Sequence, residues 1–361
     1  MNLFRPTRRQ LIGSVPLLMG STAFAETDPS CANTVFSRSK SSGPVRFIVV
    51  GDWGRNGKHG QQTTADAMAR IGRELETEFV VSTGDNFYGA GVDSIDDSQW
   101  DSSFTRVYAD VPGQWYAVLG NHDYGGNVAA QIDRTGQLGS RWNMPNHWHD
   151  LLITGPGIRP VHLFFFDTVS WIGKESFPFN LKGSRTTFES QQRQIRDMAD
   201  RIGCSPPGTI KIGFGHHGIY SIGTHGGEMK MKQLDDFLRH FEFAAYVNGH
   251  DHCLYHITHQ GMDYICSGAG SKVLADYTGG PAEHCVIKSY CDPTGASRPL
   301  FPQWQRFLAK SSLFPDSQID GGFAVFEIDT GGVKFTFYDS LGTPRHERPL
   351  LLNSASLPSA A

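Results

Sequence analysis

The chain has 361 residues and is 39% hydrophobic, 19% charged and 12% aromatic, enough apolar material to bury a sizeable core. Its 32 Lys and Arg against 36 Asp and Glu give a formal charge of −4. No long basic run follows the first ten residues, so neither a nucleic-acid groove nor binding to an anionic membrane is indicated.

The N-terminus reads as a targeting segment. Arg8 and Arg9 precede an apolar stretch over residues 11–25 that ends Ala23-Phe24-Ala25, an A-x-A cleavage pattern. Gly13, Pro16 and Gly20 interrupt it, and it is too short for a stable membrane anchor. Residues 1–25 therefore resemble a bacterial twin-arginine signal peptide, whose pathway moves folded proteins; an ordinary secretory signal is the alternative. Both predict export, to the periplasm or the medium. Loss of Arg5, Arg8 and Arg9 leaves 29 basic and 36 acidic residues, a charge of −7.

Residues 26–43, rich in Ser, Thr, Asn and Pro, read as a linker. Beyond them, the apolar runs 45–50, 79–82, 115–119, 161–166, 209–214, 244–247 and 264–266 are short and rich in β-branched or aromatic residues, which predicts strands. Between them lie helical stripes. Ala65, Met68, Ile71 and Leu75 recur at spacings of three and four; Phe188, Ile195, Met198 and Ile202 make a second stripe, and Leu234, Phe237, Leu238 and Phe241 a third. Segments 323–328 and 333–338 flank Asp329-Thr330-Gly331-Gly332, a hairpin signal. The alternation predicts an α/β domain over 44–340 built on a largely parallel sheet, with 341–361 a C-terminal tail or a last edge strand. Cys31, Cys204, Cys253, Cys266, Cys285 and Cys291 follow the signal and contain no C-x-x-C pair. They allow 15 pairings, among which sequence does not choose.

Five polar motifs each follow a predicted strand: Gly51-Asp52-Trp53-Gly54, Gly84-Asp85-Asn86-Phe87-Tyr88, Gly120-Asn121-His122-Asp123, Gly215-His216-His217 and Gly249-His250-Asp251-His252. The C-terminal strand ends of an open α/β sheet form the crevice where ligands bind. A lone Gly-Asp or Gly-His is usually a turn or a cap; five at successive strand ends are a site. Their carboxylates, amide, imidazoles and phenol suit Fe, Mn or Zn. Seven donors are too many for one ordinary ion and suit two sharing a carboxylate, the arrangement that clamps an in-line displacement. His147-Trp148-His149 follows Pro145-Asn146 with no glycine turn and reads as surface or packing, and His256 and His259 as decoration of the strand leaving the site. Neither a G-x-S-x-G elbow nor a G-x-x-x-x-G-K-[ST] phosphate loop is present.

In this order the motifs are similar to those of the metallophosphoesterases, and within them of the purple acid phosphatases of the small, tartrate-resistant type. The likeness runs from about Val45 to Tyr338 and includes Arg141-Trp142-Asn143, Asp167-Thr168-Val169 and Ser267-Gly268-Ala269-Gly270. It implies a four-layer αββα sandwich of two mixed β-sheets flanked by helices. It implies Fe(III) on Asp52, Tyr88 and His252, a second divalent metal (Fe, Zn or Mn) on Asn121, His216 and His250, and Asp85 bridging. It further implies that His122 and His225 face the substrate, a small phosphomonoester cleaved by metal-activated hydroxide with His122 as general acid. A phosphodiesterase or nucleotidase, and a phosphate- or metal-binding protein without turnover, are the alternatives. The chain departs from that type in His217-Gly218 where Tyr-Pro is usual, in Tyr124 and Cys253, and in a longer segment over 271–321.

Overall fold

A computed structural model describes residues 34–37, 43–172, 188–221, 223, 225–273, 290–291, 297–298 and 321–352. In chain order the strands are β1 (Val35–Ser37), β2 (Val45–Val50), β3 (Phe79–Ser82), β4 (Gln114–Ala117), β5 (Trp142–Asn143), β6 (His149–Thr154), β7 (Val161–Phe165), β8 (Ile210–Phe214), β9 (Ala245–Asn248), β10 (Leu254–His259), β11 (Met262–Ser267), β12 (Tyr290–Cys291), β13 (Ser297–Arg298), β14 (Gly322–Ile328), β15 (Val333–Asp339) and β16 (Pro344–Pro349). The helices are α1 (Gln61–Glu74), α2 (Val128–Asp133), α3 (Val169–Ile172), α4 (Phe188–Gly203) and α5 (Lys232–His240).

Two seven-stranded sheets form, in the orders β16-β15-β14-β2-β3-β4-β5 and β1-β6-β7-β8-β9-β11-β10; β12 and β13 pair apart from both. Both sheets are mixed. In the first, β2, β3, β4 and β5 run parallel while β14, β15 and β16 are antiparallel to their neighbours. In the second, β7, β8, β9 and β11 run parallel, β6 is antiparallel to β7 but parallel to β1, and β10 is antiparallel to β11.

The layering follows from the two-residue period of a strand. On β2, Phe47 and Val49 point into a core shared with Phe165, Phe214 and Val247 of the second sheet. Ile48 and Val50 point the other way, onto Ala65, Met68 and Ile71 of α1. In the second sheet Phe165 and Phe214 face inward, while Phe164 and Tyr246 pack with Leu234 and Leu238 of α5 and Met198 of α4. Helix, sheet, sheet and helix thus stack as four layers, and strands buried on both faces explain why their sequences run apolar without alternation. Phe47 stacks on Phe79 at 4.7 Å and on Phe326 at 5.2 Å.

Three differences from the sequence reading have physical reasons, and one open choice is decided. Residues 26–43 are not all linker, because β1 pairs in parallel with β6 from Val35 to Ser37; three residues are too few to carry a period. Within 341–361, β16 pairs along β15, so this stretch supplies an edge strand. β6 was not foreseen, because His149 and Asp150 break its apolar pattern; β10 is the strand leaving the site that carries His256 and His259. Finally, α1 begins and ends earlier than the stripe from Ala65 to Leu75, since Glu76 turns into the left-handed region at φ 54 before β3. Cys204 is disulfide-bonded, while Cys253 and Cys266 are buried free thiols.

Candidate metal centre

Parallel pairing brings the C-terminal ends of β2, β3 and β4 side by side, and likewise those of β8 and β9. Each chain segment leaves its strand through a tight turn. Asp52, Asp85, His250 and His252 take φ values of 60°, 49°, 70° and 51°. Residues with a Cβ rarely adopt this left-handed backbone, which costs about 1–3 kcal/mol each and collects at functional sites. Glycines make the room: a Cβ on Gly120 would lie 2.2 Å from Asp85 Oδ1, and a Cβ on Gly249 or Gly268 would lie 2.5 or 2.6 Å from Asp52 Oδ2.

The seven predicted donors converge as two groups that share one residue. Tyr88 Oη lies 3.0 Å from Asp52 Oδ1, 2.9 Å from Asp85 Oδ2 and 3.1 Å from His252 Nε2. His216 Nε2 lies 3.1 Å from Asn121 Oδ1, 3.2 Å from His250 Nδ1 and 3.4 Å from Asp85 Oδ1. Asp85 therefore turns one oxygen to each group. Backbone bonds hold the carboxylates: the His122 N–H donates to Asp85 Oδ1 at 2.8 Å and the His250 N–H to Asp52 Oδ2 at 2.9 Å.

Backbone carbonyls orient two of the imidazoles toward these groups. His216 Nδ1 bonds the Thr83 carbonyl at 2.9 Å and His252 Nδ1 the Lys272 carbonyl at 3.1 Å. A carbonyl only accepts, so each Nδ1 carries the proton and each Nε2 presents a lone pair to its group. Burial pushes the pKa values of His216 and His250 down, and that of His252 to about 4, so all three are held neutral. Burial, then the adjacent Asp85, raises Asp52; Asp85 is lowered in spite of burial because His216 and His122 face it. Burial, then Asp52 and Asp85, raises the Tyr88 phenol well above its usual value. Two buried carboxylates against a phenol are a poor arrangement without positive charge and a good one around cations, which reverse this pKa logic. The donor set thus fits two metal ions. By geometry alone, Asp52, Asp85 and His216 form one cluster able to hold an ion, and His216, His217 and His250 another.

A cavity of about 230 Å³ opens over these groups, lined by Asp85, Asn121, His122, His217, His225, Glu228, His250 and His252. His122 Nδ1 bonds the Gly89 carbonyl at 2.6 Å, and its Nε2 lies 3.9 Å from Asp85 Oδ2. The His225 ring lies 4.2 Å from that of His250. The His225 N–H donates to Asp251 Oδ1 at 2.8 Å, and that carboxylate, against the effect of burial, raises the imidazole pKa.

Some functional positions escaped the sequence reading. Asp123, wholly buried, accepts from the N–H groups of Gly120, Asn86 and Phe87 and from Gln131 Nε2, tying together the turns after β3 and β4. Its place in Gly120-Asn121-His122-Asp123 was the available signal. His217 and Glu228 line the cavity; the former stood in the Gly215-His216-His217 motif and as a departure from Tyr but had no role assigned, and the latter was not singled out. His149 is packing, stacked on Phe165 at 4.3 Å, and His147 bonds the Tyr124 hydroxyl at 3.1 Å.

The fold and centre are those of a known class. The calcineurin-like phosphoesterase family profile matches residues 45–254. Purple acid phosphatase 7 of Arabidopsis thaliana is 32% identical over 330 residues, covering 89% of this chain and 90% of its own. Human tartrate-resistant acid phosphatase type 5 is 30% identical over 336 residues, covering 84% and 92%. Among solved structures, one described as GAP50, the anchor in the inner membrane complex of Plasmodium, superposes with a TM-score of 0.66 at 24% identity over 87% of this chain and 90% of that one, a likeness of fold. The chain belongs to the calcineurin-like metallophosphoesterases and, within them, to the purple acid phosphatases.

Proposed function

We infer that this protein is a binuclear-metal acid phosphatase that hydrolyses phosphomonoesters. The observation that carries the reading is Asp85, which turns Oδ1 to the Asn121–His216–His250 group and Oδ2 to the Asp52–Tyr88–His252 group. Asp52, Tyr88 and His252 would hold Fe(III), and Asn121, His216 and His250 a divalent Fe, Zn or Mn. When bound, the pair supplies Lewis acidity, activating water and neutralising the phosphoryl oxygens.

The surrounding residues support this chemistry. The Nδ1 of His122 is committed to the Gly89 carbonyl, so in the cationic imidazole the mobile proton sits on Nε2, facing the cavity. Donated to the leaving oxygen, it leaves a neutral ring still bonded through Nδ1. His225, which lines the same cavity and is favoured as a cation by Asp251, binds a phosphate oxygen. Residues 1–25 direct export in a folded state; they lie outside the described residues, in which no helix is long and apolar enough to cross a membrane.

The test is turnover of an aryl phosphomonoester and an aryl phosphodiester by protein loaded with iron and zinc. Monoester hydrolysis that disappears in Asp85→Asn is the expected result. Turnover of the diester alone, or of neither, overturns the reading.

A further inference from the structure

We propose that His217 binds the substrate phosphate, donating a hydrogen bond from Nε2, and is not a metal ligand. The proposal rests on the phosphatase reading for the identity of the anion.

His217 is 1% exposed, and its Nε2 has no hydrogen-bond partner among the described residues. The ring nevertheless lines the cavity over the metal centre. It lies 4.6 Å from the His250 ring and 5.0 Å from that of His216, and could by distance alone complete a three-histidine ligand set with them.

The position of its proton decides between the two roles. Thr168 Oγ1 accepts the N–H of His216 at 3.2 Å and the N–H of His217 at 3.1 Å. A hydroxyl has two acceptor lone pairs and one hydrogen. Both lone pairs are occupied, so the contact of 3.0 Å between Thr168 Oγ1 and His217 Nδ1 has the hydroxyl as donor. Nδ1 is then the bare nitrogen, and a neutral imidazole carries its hydrogen on Nε2. An Nε2–H cannot ligate a cation. Buried and unpartnered, it requires an acceptor, and the cavity is where one would enter.

The contrast with the ligand histidines is internal to the site. His216 and His252 spend Nδ1–H on backbone carbonyls, which frees an Nε2 lone pair. His217 spends its Nδ1 lone pair on a hydroxyl, which frees an Nε2–H. Adjacent residues on one turn are set to opposite polarity by their Nδ1 partners, one toward a cation and one toward an anion. A tetrahedral oxyanion seated on the metals supplies the missing acceptor.

The experiment uses two variants of the metal-loaded full chain. In His217→Asn the amide replaces the Nδ1 side of the ring and keeps a partner for Thr168, but has nothing at Nε2. In His217→Gln the longer side chain returns an N–H to the Nε2 position. We measure metal content, KM for an aryl phosphate, and the inhibition constant of inorganic phosphate, with direct calorimetric titration of phosphate alongside. His217→Asn should retain both metals and weaken phosphate about ten-fold, with KM rising in step; His217→Gln should recover most of that loss. Loss of one metal ion per chain in His217→Asn would make His217 a ligand and overturn the proposal, as would unchanged phosphate affinity. The parent reading fails separately. If the wild type binds phosphate with this dependence on His217 but turns over no phosphomonoester, the phosphatase assignment falls and the anion site stands.

Discussion

The two sheets bring unlike halves to the centre. The first supplies Asp52, Asp85, Tyr88 and Asn121, all oxygen donors; the second supplies His216, His250 and His252, all nitrogen donors. The oxygen half carries negative charge in a buried place and needs cations to be comfortable there. The nitrogen half is held neutral by burial, with His216 and His252 fixed by carbonyls. On the reading proposed above, charge neutralisation would fall to one sheet and directional ligation to the other, with a cation between them shared by both.

The largest break in that division is Asp85→Ala, which strikes both groups at once. It should release both metals and lower turnover by at least about four orders of magnitude; full metal content in the purified variant would remove the bridging role. His216→Ala, on the nitrogen side, should cost a single divalent ion and keep the ferric one, as elemental analysis would report.

His122→Ala leaves both halves intact. It should lower kcat by about 10²–10⁴ with the metals in place, and by less for aryl than for alkyl phosphates, since a good leaving group needs less proton donation. An equal loss for both classes would exclude a general acid at this position. Tyr88→Phe removes one oxygen donor that carries no proton to substrate. The iron-loaded wild type should be purple or pink from phenolate-to-iron charge transfer, the variant should lose that visible band, and part of the hydrolysis should survive.

The smallest effect concerns the nitrogen half without metal. Burial holds His252 at about 4, below its ordinary 6.5. A group whose folded pKa is depressed binds more protons when unfolded, so its contribution is full above 6.5 and is lost as pH falls toward about 4. Chelator-stripped protein should lose about 3 kcal/mol at most from this source over that window. Denaturant titrations of His252→Gln should show a flatter acid limb; an unchanged slope would mean that His252 is not neutral in the stripped fold.

Much of this was legible before the structure. An apolar run closed by glycine and a polar residue marks both a strand end and the side chain that leaves it, so Asp52, Asp85, Asn121, His216 and His250 could be placed around one crevice. What stayed hidden depends on contacts remote in sequence or on side-chain direction. The His250 N–H that fixes Asp52 lies 198 residues away, and no local pattern records it. His217 looked like a departure from Tyr, because its meaning depends on the hydrogen of Thr168. β1 is an edge strand whose pairing, not its composition, makes it a strand.

The glycines around the carboxylates have a consequence in time. Because Gly120 lets backbone close on Asp85, and Gly249 and Gly268 let it close on Asp52, with backbone N–H groups bonding both carboxylates, each should keep its place when the cavity is stripped. The vacated centre is then a mould rather than a slack loop. Reloading should proceed at the pace at which ions arrive and shed water, with no lag for rearrangement, so stopped-flow uptake into folded, metal-stripped protein should remain first order in metal up to high concentration.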